Sequence, residues 1–275
     1  MKTMHLFAGA GGGLLGDLIL GHEPIIAVEW DRYACQVLRE RAADGWFPDL
    51  RVWEGDIRMF DPSEYAGKVD CIHAGFPCQD ISVAGKQAGV SEGTRSGLYR
   101  EVLRIADTVR PKYIFLENVA AILSNGLGTV LGDLAEMGYD TRWCCLRASD
   151  VGAPHHRDRW FCIAYANGNK WSASSLETDE RTNWRNHPRR VGALVPNPNC
   201  KDVARGGASN DSEGWERKVG FFGLVIGGSG TQWEIEPGLG RVANGVPHRL
   251  HRLKALGNAQ VPLQAAVAWK LLGGP

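Results

Sequence analysis

The sequence predicts an α/β fold, doubly wound around a mostly parallel sheet, and three observations carry that prediction. Apolar runs at 4–8, 24–30, 50–55, 69–74, 112–119 and 159–166 have the length and composition of strands. Helical stretches at 13–21, 31–43, 97–109 and 121–137 lie between them, the spacing of right-handed crossovers joining parallel strands. A glycine-rich turn, FAGAGGG (7–13), links the first run to the first helical stretch. Sheets of this kind bind ligands beyond the carboxyl ends of their strands. Gly9, Glu29, Asp56, Cys78 and Glu117 all fall there.

With 275 residues, 44% of them hydrophobic, the chain can bury the core of one large domain or of a domain with a small lobe. Its 31 basic and 31 acidic side chains cancel, so a polyanion site has to come from local clustering. Seven cysteines, an odd number with no C-x-x-C pair, fit a disulfide scaffold or a zinc site badly and a reducing cytoplasm well. Asp17 and neighbouring glycines break the one N-terminal run that imitates a leader, and no apolar stretch approaches membrane-spanning length. No metal and no membrane contact are expected.

Between 167 and 245 the periodicity fades and Gly, Asn, Ser, Trp and Arg dominate, as in a loop-rich insert or small lobe. Order returns in 246–275, with helix-like PHRLHRLK (247–254) and a helix at 262–272 opened by Pro262.

Glycines in the first turn let the backbone approach a ligand and leave helix amides facing it. Glu29 stands twenty residues past Gly9 at the tip of the second strand, where an acid accepts hydrogen bonds from ribose hydroxyls. The pattern signals an adenosine-type ligand, and NAD and S-adenosylmethionine both satisfy it. Trp30 is either a flat face for adenine or a core aromatic. Asp56, in EGDIR, either reaches an adenine amino group or caps the helix that follows.

In GFPCQDIS (75–82), Pro77 fixes its own φ and pushes Phe76 toward extended geometry. Cys78 thus sits on a stiff turn at a strand end, where a thiolate can be stabilised and act as a nucleophile. Cys35, Cys71, Cys144, Cys145 and Cys162 lie in helix or strand patterns and read as buried structural thiols. Glu117 follows the apolar KYIFL; a carboxyl there is costly to desolvate unless protonated or paired. It is a proton donor near Cys78 or a helix cap, a role Asn118 could also fill. Arg157 and Arg159 alternate into the last strand and are expected to share a face, gripping an anion or a carbonyl.

Taken in order, FAGAGGG, Glu29 with Trp30, GDI, GFPCQDIS, ENV, RDRW and LGNAQVP make the chain resemble the cytosine-C5 DNA methyltransferases. The resemblance implies a Rossmann-like sheet of the class I methyltransferase type with a small irregular target-recognition insert. Residues 1–166 would form the catalytic, S-adenosyl-L-methionine-binding domain and 167–245 a short target-recognition region. Residues 246–275 would return to the catalytic domain. The implied reaction methylates C5 of a cytosine flipped out of duplex DNA and leaves S-adenosyl-L-homocysteine. Cys78 would add to C6, Glu117 would hydrogen-bond or protonate N3, and Arg159 with Arg157 would bind near O2 or the adjoining phosphate.

By the same matching, Phe7, Ala8, Gly9, Gly11, Glu29 and Trp30 would line the methyl-donor site. Asp56, Ile57 and Phe76 would join them, with Asn258 and Val261 closing it. Gln79, Ser82, Lys86 and Arg95 would face DNA from the catalytic loop, and Arg185, Arg189 and Arg190 from RTNWRNHPRR in the insert. The implied partners are double-stranded DNA and an associated restriction endonuclease, with the chain acting as a monomer. His155 and Leu256 depart from the pattern, which usually has Gln at both positions. Three alternatives stay open: an RNA-directed relative, an NAD-dependent oxidoreductase, and an inactive DNA-binding remnant. The second leaves Cys78 and LGNAQVP without a use, and intact Cys78, Glu117, Arg157 and Arg159 count against the third.

Overall fold

The computed structural model describes residues 1–77, 97–124, 126–166 and 249–275. Seven strands form one sheet in the order β3-β2-β1-β4-β5-β7-β6. They are β1 Lys2–Leu6, β2 Glu23–Glu29, β3 Arg51–Glu54, β4 Cys71–Gly75, β5 Tyr113–Val119, β6 Tyr139–Arg147 and β7 Asp158–Ala166. The first five pair in parallel, and β7 runs antiparallel to both β5 and β6. The α-helices among the described residues are α1 Gly12–Ile19, α2 Arg32–Ala43, α3 Gly97–Val109, α4 Leu127–Glu136, α5 Arg249–Asn258 and α6 Pro262–Leu271. The expected doubly wound, mostly parallel sheet is present. Its strand order reverses beside β1, which pairs with β2 on one edge and β4 on the other, so the glycine turn opens at the switch point.

Strands β4 and β5 are buried along most of their length because helices cover both faces. On one face Ile72, Ile114, Leu116 and Trp160 pack with Val102 and Ile105 of α3 and Val130 and Leu134 of α4. On the other, Phe115 and Phe161 stack with ring centroids 5.7 Å apart, and Trp269 of α6 meets Phe115 edge-on at 5.3 Å. Gly16 lets α1 lie against α6: a Cβ there would be 3.1 Å from the Pro262 carbonyl oxygen.

Two elements differ from the sequence reading. Strand β6 was not expected, because the polar residues in its first half leave no apolar run; its last buried residues are Cys144, Cys145 and Leu146. The single helix expected over 121–137 is instead a 3₁₀ turn, Ala120–Leu123, and then α4, separated at Gly126, whose φ is 140°. Cys35, Cys71, Cys144, Cys145 and Cys162 are buried free thiols. Burial pushes Cys35, Cys144 and Cys145 up to about 12, and Cys71 and Cys162 upward as well, which makes all five poor nucleophiles. Among the described residues no helix is long and apolar enough to cross a membrane.

Candidate active site

After β1 the backbone turns through left-handed conformations at Phe7 (φ 57°), Gly9 (φ 55°) and Gly11 (φ 97°). At Phe7 this geometry costs on the order of 1 kcal/mol, strain of the kind that collects at binding sites. The Glu29 carboxylate holds the turn in place. Its Oε2 accepts from the Gly9 N–H at 2.7 Å, and its Oε1 from the N–H groups of Trp30 and Asp31 at 2.9 and 2.7 Å. Asp31 in turn caps α2 through Tyr33 and Ala34 and takes the Lys254 ammonium of α5 at 2.6 Å. Trp30 is 70% exposed, so it is not a core aromatic. Asp56 caps the turn Ile57–Met59 through the Arg58 N–H at 3.1 Å and takes Arg58 Nε at 3.0 Å, while Ile57 itself is buried.

The glycines of the turn divide into two kinds. A Cβ on Gly9 would meet nothing within 4 Å, whereas one on Gly12 would lie 2.2 Å from the Gln260 carbonyl oxygen. On Gly13 it would lie 2.9 Å from both Gln260 Oε1 and His73 Cε1. Close approach at Gly12 and Gly13 is therefore to the protein's own Gln260, and Gly9 alone of these three borders open space. Gly12→Ala should cost about 2 kcal/mol or more by overpacking, and Gly9→Ala about 1 kcal/mol from its left-handed backbone alone. Denaturant unfolding compares the two, and equal costs would contradict this division.

Glu117 ends the apolar part of β5, in register with Gly75 of β4 and Phe161 of β7. Its Oε1 takes Arg159 Nε at 2.9 Å and its Oε2 takes Gln260 Nε2 at 3.4 Å. Burial raises its pKa against the opposing pull of Arg159 and Arg157. Arg157 lies one residue before β7 with φ 35°, so strand alternation does not set its direction. Its guanidinium donates to the carbonyls of Gly257, at 2.9 Å, and Ala259, tying LGNAQ to the entrance of β7. Asn118 serves the neighbouring turn rather than a helix: its Nδ2 donates to the Phe76 carbonyl at 3.1 Å and its Oδ1 accepts from Val119 N–H at 2.8 Å. The Phe76 ring is buried beside Tyr99, centroids 5.1 Å apart.

Beneath these groups lies a buried polar cluster that periodicity did not reveal. His5 and His73 are register partners on β1 and β4, with ring centroids 4.8 Å apart. Asp17 of α1 takes His5 Nε2 at 2.8 Å and His22 Nδ1 at 3.3 Å. Burial would raise Asp17, but His5 and the hydrogen bonds from His22 and His5 outweigh it and hold the carboxyl far below its usual range. Ligand atoms of His5, Asp17 and His73 lie within 4.8 Å of one another, and the His5–Asp17 contact has hydrogen-bond length. The signal available in the sequence was two histidines inside apolar strands and an acid interrupting the apolar run of α1.

Burial, then the charge of His5, pushes His73 down to about 3 from its ordinary 6.5. Its neutral form is favoured by the fold. The contribution is present above about pH 6.5 and lost as pH falls from there toward 3. His73→Gln should flatten that part of the acid limb in urea unfolding between pH 7 and 4; an unchanged limb would contradict it.

One pocket joins these parts. The turn contributes Phe7, Ala8 and Gly9, the strand ends Gly75 and Glu117, the far segment Asn258, Ala259 and Gln260, and His5 and His73 also line it. Of the residues expected around a methyl donor, the turn residues and Asn258 thus meet Glu117. Glu29, Trp30, Asp56 and Ile57 do not line it, and Gly11 packs on Leu38. Val261 caps α6. Cys78, Gln79, Ser82, Lys86, Arg95, Arg185, Arg189 and Arg190 lie outside the described residues, which stop at Pro77, one residue before Cys78.

Similarity to known proteins identifies the family. A profile of the C-5 cytosine-specific DNA methylase family matches residues 1–214. Type II methyltransferase M.CviJI of Paramecium bursaria Chlorella virus IL3A is 38% identical over 168 residues, 59% of this chain and 42% of the relative. M.NgoMIV of Neisseria gonorrhoeae is 33% identical over 201 residues, 70% of this chain and 59% of the relative. A prophage-encoded E. coli protein assigned as a DNA modification methyltransferase superposes with a TM-score of 0.50 at 27% identity, over 62% of this chain and 48% of that one. The chain spans about half the length of the relatives it matches. Because the profile runs through the glycine turn, Glu117 and Arg159 and takes in well over half of the sequence, the chain belongs to the C-5 cytosine-specific DNA methylase family.

Proposed function

We propose that the chain transfers a methyl group from S-adenosyl-L-methionine to C5 of a cytosine extruded from duplex DNA, through a bond between Cys78 and C6. One observation carries the reading. Glu117, buried, raised in pKa and paired with Arg159, sits beside Gly75, three residues before Cys78, at the pocket floored by the glycine turn.

The residues present fit the methyl donor. Gly9 borders open space, Trp30 offers an exposed flat face, and Asn258 lines the pocket from the far side. A carboxylate has about four acceptor sites; three of those on Glu29 hold backbone N–H groups, which leaves one for a ribose hydroxyl. When bound, the donor supplies an electrophilic methyl on a sulfonium, and S-adenosyl-L-homocysteine departs.

The chain's own residues do the rest. The Cys78 thiolate bonds to C6, and the displaced ring electrons move toward N3 and O2. Glu117 protonates or hydrogen-bonds N3, and Arg159 offsets charge near O2 or the adjoining phosphate. C5 takes the methyl group, loses its proton to a base, and the sulfur–C6 bond breaks to restore the ring double bond. Arg157 supports this by holding the Gly257–Ala259 backbone against the pocket. Gln79, Ser82, Lys86 and Arg95, with Arg185, Arg189 and Arg190 of the 167–245 segment, are proposed to face DNA. The named relatives are type II methyltransferases, and pairing with a restriction endonuclease belongs to the same proposal.

Expression in a methylation-free bacterium followed by bisulfite sequencing tests the reading. Protected cytosines within one short motif, absent with Cys78→Ser, are expected. Unmodified DNA alongside methylated RNA in the same cells would overturn the choice of substrate.

A further inference from the structure

Gln260 lines the pocket beside both Glu117 and His73. Its Nε2 reaches Glu117 Oε2 at 3.4 Å. Its Oε1 and both ring nitrogens of His73 are buried without a hydrogen-bond partner. Gly13 shows that they are neighbours, since a Cβ there would lie 2.9 Å from Gln260 Oε1 and 2.9 Å from His73 Cε1. A carboxamide has one donating and one accepting end, and a neutral imidazole has one N–H to give. With the donating end directed at Glu117, the accepting end and His73 complement each other.

The surroundings are shaped to this side chain. Gly12 meets its backbone, Gly13 its oxygen, and Gly75 its nitrogen, the last with a Cβ distance of 2.8 Å. Arg157 fixes the chain just before it through the carbonyls of Gly257 and Ala259. We infer that Gln260 is a positioning residue, linking the His73 imidazole to Glu117 and so aiming that carboxyl and tuning its hold on a proton. In its catalytic consequence, the inference rests on the proposed role of Glu117 at N3.

The groups facing Glu117 are Arg159 of β7, Arg157 before it, and Gln260 from the α5–α6 turn. Behind Gln260 stand His73 of β4, His5 of β1, and Asp17 and His22 at α1 and its end. A donor to the carboxylate favours the ionised form. Without Gln260, Glu117 should keep its proton to higher pH.

A carbon-13 NMR titration of the Glu117 carboxyl, assigned by its loss in Glu117→Gln, reads this directly. The midpoint is expected to move upward in Gln260→Leu. Gln260→Met, unbranched like glutamine, gives the same reading if the leucine variant fails to fold. His73→Leu should move it the same way by less, through the loosened carboxamide. An unmoved midpoint in the Gln260 variants overturns the inference.

In methyl-transfer assays kcat should fall about tenfold, with the alkaline limb of its pH profile displaced upward and KM for S-adenosyl-L-methionine unchanged. A raised KM with an undisplaced limb would mark a methyl-donor contact instead and overturn the positioning role. The titration needs no turnover. A displaced midpoint in a protein inactive on DNA would therefore refute the proposed reaction while the Gln260 link stands.

Discussion

Cys78→Ser is expected to lower methyl transfer by about 10,000-fold or more while S-adenosyl-L-homocysteine still binds. A hydroxyl is far weaker than a thiol as an anionic nucleophile at neutral pH. Replacement from elsewhere in the chain is also blocked for the described cysteines. Cys35, Cys71, Cys144, Cys145 and Cys162 are buried, with thiols raised by that burial. Tritiated-methyl transfer and calorimetric binding of S-adenosyl-L-homocysteine measure the two halves of the prediction. Near-normal transfer by the serine variant would remove the covalent step from the mechanism.

Glu117→Gln should reduce transfer by about 100-fold or more, the scale of a positioned acid, with stability moving the other way. Burial raises the Glu117 pKa above its ordinary 4.5, so the native chain holds this proton more tightly than the unfolded one. The stabilising contribution is therefore complete below about pH 4.5 and lost as pH rises through the raised native value. Glutamine never ionises and keeps a carbonyl oxygen for Arg159. Thermal melts of the two proteins should thus diverge in favour of the variant as pH rises from 4.5 to 8. Convergence at high pH, or a variant less stable only there, would show that the Arg159 pair outweighs the cost of burying the charge.

The parts of the site legible in the sequence were those whose meaning is local. A strand, a glycine turn and an acid twenty residues on placed Glu29 at the tip of the second strand, where β2 does end, whereas its bond to the Gly9 amide appears only in the fold. Five cysteines in regular elements read correctly as buried. What was not legible depends on contacts between distant segments. Gln260 meets Glu117 across 143 positions, and only the folded backbone shows that Gly12 and Gly13 make room for it. Arg157 looked like a strand partner of Arg159 until its left-handed φ turned it toward the Gly257 and Ala259 carbonyls. Strand β6 hid because a half-polar run beside an antiparallel neighbour carries little apolar signal. His5, Asp17 and His73 were visible as polar interruptions, but their common meeting place comes from the β1–β4 register.

The central claim is a transient bond from the thiol at position 78 to C6 of the target cytosine. Duplex DNA carrying 5-fluorocytosine in the mapped motif blocks loss of the C5 substituent and should halt the reaction at that bond. Incubation with S-adenosyl-L-methionine, digestion and mass spectrometry then locate the attachment. The expected result is a methylated fluoropyrimidine on the peptide containing Cys78. Attachment at any other cysteine, or complete methyl transfer to unfluorinated DNA with no trapped species on the analogue, would contradict the account.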